Sequence, residues 1–400
     1  MIDAHAARAN PDDFRRKLAR KDAAEAFDEW LAADGRWREL VPRVDDLRAR
    51  TKLKGKPTPE QLEELRGVKD QLQVAERELA EAEAAREEAL AQVPNPPDDS
   101  APDGFTDEDA VELRRVGEPV ELAEAKEHTE VGRFDMERAA RLSGARFGYL
   151  IGDTALVALA LYRFAIDVAV RNGHVPMLPP VLVREEAMYG TGFFPTDRSN
   201  IYAIESDELY LTGTSEVGLA GLHMGEILDA AELPLRYTAF STNFRREAGA
   251  AGKDTRGMFR VHQFNKVELF AFVEPSASPE EHERLVGIEE EILQALGLPY
   301  RVVNVAAGDL GAPAVKKYDI EGWFPFQQRY RELTSASNTT DFQARRLGVR
   351  YRGESGGPQP VHTLNGTATT DRTLLAILEN FQGHVPDVLR QYGAPATVTR

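Results

Sequence analysis

Asn243-Phe244-Arg245-Arg246-Glu247-Ala248-Gly249-Ala250-Ala251-Gly252-Lys253-Asp254-Thr255-Arg256-Gly257, continued by Arg260-Val261-His262-Gln263-Phe264-Asn265-Lys266-Val267-Glu268-Leu269, is the stretch on which the fold turns. Two strand-like runs flank a charged, glycine-rich loop. The segment therefore spells a β-hairpin with a mobile tip, and a hairpin commits its strands to antiparallel pairing. Moving outward, Leu209 to Thr212, Arg260 to Phe272 and Tyr300 to Val305 read as strand, while Phe134 to Ser143 and Thr154 to Asn172 read as helix. Strands and helices do not alternate as a doubly wound parallel sheet demands. The expected fold class is α+β, an antiparallel sheet with helices on one side.

The hairpin also carries the densest polar chemistry in the chain. An arginine fork such as Arg245 can hold a phosphate and a carboxylate at two points, Phe264 can stack on a nucleobase, and Glu268 can grip an ammonium or a hydroxyl. On composition alone, a charged surface hairpin is the competing reading. Neither a P-loop nor a Rossmann glycine fingerprint occurs, so nucleotide binding does not follow from either motif. His262 and His362 stand alone in strand-like contexts and read as structural.

Far upstream, residues 1 to about 92 are rich in Ala, Glu, Arg and Leu. Leu65, Leu72 and Leu79 repeat at seven, with Val68, Ala75, Ala82 and Ala89 between them, which is a heptad seam. Trp37, Leu40, Val44 and Leu47 follow the same spacing. Lys54-Gly55-Lys56-Pro57-Thr58-Pro59 suits a turn, so the two helices predict an antiparallel coiled-coil hairpin, kinked at Pro42. Pro94 to Gly104 is proline-rich and polar and reads as a linker. The expected domains are residues 1–103, the helical arm, and 104–400.

The chain of 400 residues carries a formal net charge of −17 and no cysteine. The absence of cysteine excludes a disulfide framework and thiolate-held zinc or iron–sulfur sites, so any metal takes oxygen or histidine ligands. The acidity excludes a protein that coats nucleic acid non-specifically, because phosphate binding is driven by lysine and arginine releasing counterions. A local basic surface remains open. Arg43 to Lys56 is the one clear basic concentration, six basic residues against Asp45 and Asp46. No apolar run approaches the ~20 residues that span a bilayer, and Met1 to Asn10 lacks the order of a signal peptide. The expected location is the cytoplasm, with no membrane partner.

Phe244-Arg245-Arg246-Glu247 through Phe264 and Glu268 resembles motif 2 of the class II aminoacyl-tRNA synthetases, in the form of the bacterial seryl-tRNA synthetases. Leu211-Thr212-Gly213-Thr214-Ser215-Glu216-Val217 is similar to that family's serine-binding segment. The run from Glu332 to Arg346 resembles its metal and ATP segment, and His362 to Thr367 with Arg372 to Asn380 resembles its motif 3. Pro179-Pro180 with Met188 to Gly192 looks like motif 1, which builds the family's dimer interface. Between Thr367 and Arg372 the chain is one residue shorter than the family pattern, and Asp371 sets a negative charge beside Arg372.

The resemblance implies a class II catalytic domain on an antiparallel sheet flanked by helices, preceded by a tRNA-binding coiled-coil arm. It implies ATP-dependent activation of L-serine to seryl-adenylate and transfer to tRNA(Ser), with ATP and Mg2+ as cofactors and a homodimer as the working form. Arg245, Glu268 and Arg372 would be catalytic, and Thr214, Ser215, Glu216, Arg245, Glu268 and Thr367 would hold serine. ATP would meet Arg245, Arg246, Glu247, Val261, Phe264, Glu332, Leu333, Thr334, Ser335 and Arg372, with Glu332 and Ser335 also taking the metal. Arg48, Arg50, Lys52, Lys54 and Lys56 would meet tRNA. Two other readings stay open: a synthetase-like ligase that loads an amino acid onto a carrier protein or other acceptor, and an inactive paralogue.

Overall fold

The computed structural model describes residues 1–52, 58–248, 257–353 and 356–399. The chain divides into two compact units, Met1–Pro96 and Pro97–Arg400.

The first unit is helical: α1 (Ala4–Ala9), α2 (Pro11–Ala19), α3 (Ala24–Arg50) and α4 (Pro59–Gln92). The Asp3 carboxylate caps α1 by accepting from the His5 and Ala6 amides, and Thr58 and Gln61 form a capping box that starts α4. The expected seam is there, with Val44 and Leu47 of α3 packing on Val68 and Ala75 of α4, flanked by Leu72 and Leu79. At its root, Phe27, Trp30, Leu18, Leu90 and Val93 form a separate core. Beside that core the buried Asp34 receives Arg8 at 3.1 Å and Arg86 at 2.7 Å, so its charge is answered from two helices. The helix α3 runs unbroken through the exposed Pro42, the position of the expected kink; the residues around it, Leu40 and Val44, keep their places in the core.

The second unit begins sooner than the expected boundary at 103/104, because the proline-rich stretch is not a free linker. Proline lacks a donor but its carbonyl still accepts, and Pro102 O takes the Ala307 amide at 2.8 Å. The Asp98 amide donates to Val315 O at 2.8 Å, and Ala101 is buried among Val305, Ala307, Leu310 and Ala314.

Eight strands form the central sheet: β1 (Val111–Val116), β2 (Val175–Met177), β3 (Leu235–Phe244), β4 (Gln263–Val273), β5 (Tyr300–Asn304), β6 (Lys316–Phe324), β7 (Arg329–Thr340) and β8 (His362–Thr370). Their order is β1-β5-β6-β7-β8-β4-β3-β2. Every neighbouring pair is antiparallel except β2 with β3. The helices of this unit include α5 (Asp153–Arg171), α6 (Glu185–Thr191), α7 (Glu216–Ala220), α8 (Ser278–Leu296), α9 (Phe342–Leu347) and α10 (Asp371–Phe381). Strand β4 shows how the sheet is sided. Val267, Leu269, Ala271 and Val273 join the large core under α5, α8 and α10, whereas Phe270 and Phe272 pack with residues of α7 and α9 on the other face. Helices therefore cover both faces rather than one. On the second face they cover only one end, and the uncovered part is a cleft.

Candidate active site

Strands β3 and β4 are the expected hairpin, with Phe244 opposite Gln263 at the end that leads to its tip; residues 249–256 of the tip lie outside the described residues. Alternation along β4 aims Phe264, Lys266 and Glu268 into the cleft.

Two local irregularities complete the floor. Between β6 and β7 the register shifts, with Glu321 opposite Glu332 and Ile320 opposite Thr334, so Leu333 is an extra residue. An extra residue reverses the alternation, and Glu332 and Ser335, three apart in sequence, share the cleft face while Leu333 and Thr334 are buried. Between β4 and β8 a second shift leaves Ala368 unpaired, and this brings Thr367 and Thr370 to the same face.

Two adjoining pockets open on this floor. The first is lined by Arg245, Glu247, Val261, Phe264, Glu332, Leu333, Thr334, Ser335 and Arg372 among others. The second is lined by Thr214, Glu216, Glu268, Lys317, Asn365 and residues of the segment after α6. Arg245, Lys266, Ser335 and Thr367 belong to both.

In the first pocket the Arg245 guanidinium lies 5.1 Å from the centre of the Phe264 ring, and its Nε donates to Gly213 O at 3.2 Å. Surrounding protein and Arg372 lower its pKa from the ordinary guanidinium value, which leaves it charged at neutral pH. Arg372 Nη1 lies 2.9 Å from Glu332 Oε2 and its guanidinium sits over the Phe259 ring at 4.7 Å. Burial alone would raise Glu332, but Arg372, Lys317 and Arg245 hold its carboxyl down, at about 2. Glu247, at a φ of +53°, pairs with Arg260. Asp371 does not oppose Arg372. It takes the Tyr162 hydroxyl and, at 3.0 Å, the Asn265 amide, and burial pushes it up to about 6.

The second pocket is built on buried charge. Glu268, 1% exposed, is ion-paired with Lys266, whose Nζ also donates to Thr214 Oγ1 at 2.7 Å. Burial raises the Glu268 carboxyl and Lys266 pulls it back. Glu216 Oε1 accepts from Gln343 Nε2 at 2.7 Å and Asn365 Nδ2 at 2.9 Å, while burial and then Glu268 push its pKa to about 7. Lys317, 2.9 Å from Asp319, would be lowered by burial, but Asp319 and Glu332 hold it above its ordinary value.

Not every expected residue reaches the cleft. Ser215 buries its hydroxyl and lines neither pocket, and Arg246 turns its guanidinium toward the Tyr202 ring, 6.0 Å away. His262 is structural, its Nδ1 2.9 Å from Arg245 O. At the arm's end Arg48 meets Glu76 at 2.9 Å, Arg50 lies 4.0 Å from Asp46, and Lys52 is exposed; Lys54 and Lys56 lie outside the described residues.

Sequence reasoning missed Lys266, Lys317, Phe259 and Glu289. Lys266 had a signal, since it falls between Phe264 and Glu268 on their face of the strand. Glu289 had none: it stands beside Glu290 and Glu291 in α8 yet is wholly buried, where it accepts from the Thr334 hydroxyl at 2.9 Å and the Thr367 amide at 3.0 Å.

Residues 1–97 match the seryl-tRNA synthetase N-terminal domain, and residues 201–381 match the class II tRNA synthetase core domain shared by the G, H, P, S and T enzymes. The serine–tRNA ligase of Mycolicibacterium vanbaalenii is 47% identical over 417 residues, covering 100% of this chain and 99% of the relative. Among solved structures, the seryl-tRNA synthetase of Pyrococcus horikoshii complexed with ATP superposes with a TM-score of 0.93 at 38% identity, covering 100% of both chains. The cytoplasmic serine–tRNA ligase of Naegleria fowleri in complex with AMP gives 0.88 at 32% identity over 98% of this chain and 96% of that one.

Proposed function

The chain belongs to the seryl-tRNA synthetases, and on that premise we propose how its two pockets divide the family's reaction. The enzyme uses ATP to activate L-serine and transfers it to tRNA. The serine carboxylate attacks the α-phosphorus and displaces pyrophosphate; a terminal hydroxyl of tRNA then attacks the acyl carbon and releases AMP. Such an in-line displacement needs alignment and charge neutralisation more than a general base.

The observation that carries the assignment is the shared wall. Arg245 lines both pockets, so one fixed cation faces the carboxylate side of the second and the phosphate side of the first. The first pocket takes ATP, with Phe264 against the adenine and Arg372 on the terminal phosphate. The second takes serine, with Glu268 and Glu216 toward its ammonium and hydroxyl and Thr367 closing the wall. A site that hydrogen-bonds a hydroxyl rejects alanine strongly, because its buried partners would be left unpaired.

Magnesium fits this floor. Glu332 is held ionised and shares a face with Ser335, which offers two hard oxygen donors, and among the described residues no group of three or more His, Cys, Asp or Glu forms a dedicated cage. Magnesium is commonly held by one or two carboxylates plus substrate phosphates. Bound there, it would neutralise charge on the phosphates. The arm's end, with Arg48, Arg50 and Lys52 and the neighbouring Lys54 and Lys56, supplies phosphate contacts for tRNA(Ser), and the cytoplasm is where that tRNA is charged. The working form is a homodimer, supported by the exposed Leu156 and Leu159 of α5 and Val175 and Leu178 after it, apolar side chains that precede the motif 1 segment at Pro179-Pro180.

Full-length identity to serine–tRNA ligases disfavours both the carrier ligase and the inactive paralogue. Amino-acid-dependent ATP–pyrophosphate exchange across all amino acids, repeated as aminoacylation of total tRNA, tests the reading: serine alone should support both, and exchange with another amino acid in its place would overturn it.

A further inference from the structure

The Phe259 ring that lies under Arg372 also carries the Arg331 guanidinium at 3.7 Å. It belongs to the limb Gly257–His262, irregular backbone that precedes β4. One of the contacts that fix this limb is not part of either pocket. His128, in the single helical turn His128–Val131, is 1% exposed. Its Nδ1 lies 2.8 Å from Oε1 of the fully buried Glu379 in α10, and the backbone amide of Met258 donates to its Nε2 at 3.2 Å. A backbone amide only donates, so Nε2 is bare and Nδ1 carries the ring proton to Glu379, a tautomer assigned from its partners. The Gly257 backbone passes so near, at a φ of +68°, that a Cβ there would sit 2.7 Å from Nε2.

Helix α10 thus holds both ends of one arrangement. Arg372 is in its first turn and Glu379 is two turns on, and through His128 the second reaches the limb on which the first rests. We propose that His128 is a positioning residue for ATP: its imidazole ties the limb Met258–Phe259 to α10, so that Arg372 and the aromatic shelf beneath it are set as a unit. The inference rests on the first pocket being the ATP site. An unfixed shelf leaves Arg372 free to sample other orientations, a cost that falls on ATP and not on serine.

The experiment is serine-dependent ATP–pyrophosphate exchange by the full chain. His128→Asn keeps an N–H near Glu379 but has no atom at Nε2. It should raise KM for ATP about five- to tenfold, the worth of one hydrogen bond, with KM for serine within about twofold. His128→Gln, whose amide oxygen reaches toward Met258, should recover part of the loss. Hydrogen exchange of the His128→Asn protein should quicken at Met258 and Phe259 before the rest of the second unit. Faster exchange there with KM for ATP unchanged would overturn the proposal, as would equal rises in both KM values. If His128→Asn does not fold, Gly257→Ala, whose Cβ would crowd Nε2, pushes the limb off the ring while keeping both side chains of the His128–Glu379 pair, and must give the same split. Arg372→Ala is the control. If it leaves KM for ATP unchanged, the pocket has been misread; if it raises KM and His128→Asn does not, only the proposal about His128 fails.

Discussion

Glu268 and Lys266 form a buried pair that faces the second pocket, proposed for serine, and a buried charge is costly once its partner is removed. Glu268→Ala should abolish serine-dependent exchange, but it also strands the Lys266 ammonium. Glu268→Gln keeps the volume and is the cleaner variant; exchange that persists unchanged in it would contradict the assignment. Arg245→Ala should lower kcat by at least about a hundredfold, because its contacts act on charge that moves in the transition state. A change confined to KM would instead mean uniform binding. Glu216 allows a pH test. Its folded pKa of about 7 lies above the ~4.3 of an exposed glutamate, so the folded state holds that proton more tightly than the unfolded chain does. The stability this gives is fully present at low pH and is lost as pH rises through about 7. Thermal unfolding of Glu216→Gln against the parent, from about pH 5 to about pH 8, should show a Tm gap that widens in the variant's favour and levels off above about 7. A constant gap would mean the carboxyl stays ionised throughout.

At the scale of elements, the arm and the sheet follow different rules. The coiled coil is written in its heptads, and the one residue that breaks its rule, Pro42, sits exposed inside a continuous helix. Replacing a helix-interior proline by alanine recovers up to ~3 kcal/mol, so Pro42→Ala should raise the unfolding temperature and leave exchange unchanged. A lower temperature would show that packing around Leu40 and Val44 uses the proline geometry. At the arm's end, changing Lys52, Lys54 and Lys56 together to glutamine should weaken tRNA binding and flatten its salt dependence, by roughly 0.7 to 0.9 in slope for each phosphate that is no longer neutralised. An unchanged slope would remove those lysines from the interface. The sheet's decisive features are the extra residues Leu333 and Ala368, which no heptad or alternation announces. Strict alternation would send Ser335 to the opposite face from Glu332, and register is set by the partner strand.

For the whole molecule, the two units should be separable in function. Replacing Glu39 to Glu83 by a short glycine bridge keeps Arg86 on Asp34 and Leu90 in the core at the arm's root. Exchange should survive this shortening and tRNA charging should collapse; charging at the parent rate would give the arm another use. Light scattering at micromolar concentration should give about twice the 44.4 kDa of one chain, and a monomer mass would contradict the dimer. The sequence by itself determined the hairpin of β3 and β4, the coiled-coil arm, the antiparallel class and those pocket residues that fall in dense local motifs, because alternation, heptads and such motifs are short-range patterns. Only the tertiary structure decided that the proline-rich stretch from Pro97 packs into the second unit, that Asp371 turns to Tyr162, and that Glu289, alike in sequence to Glu290 and the exposed Glu291, is buried beneath Thr334 and Thr367. The same holds for His128, joined to residues 130 and 251 positions away. Burial and charge pairing depend on which distant strands and helices meet, and no local pattern of residues encodes that meeting.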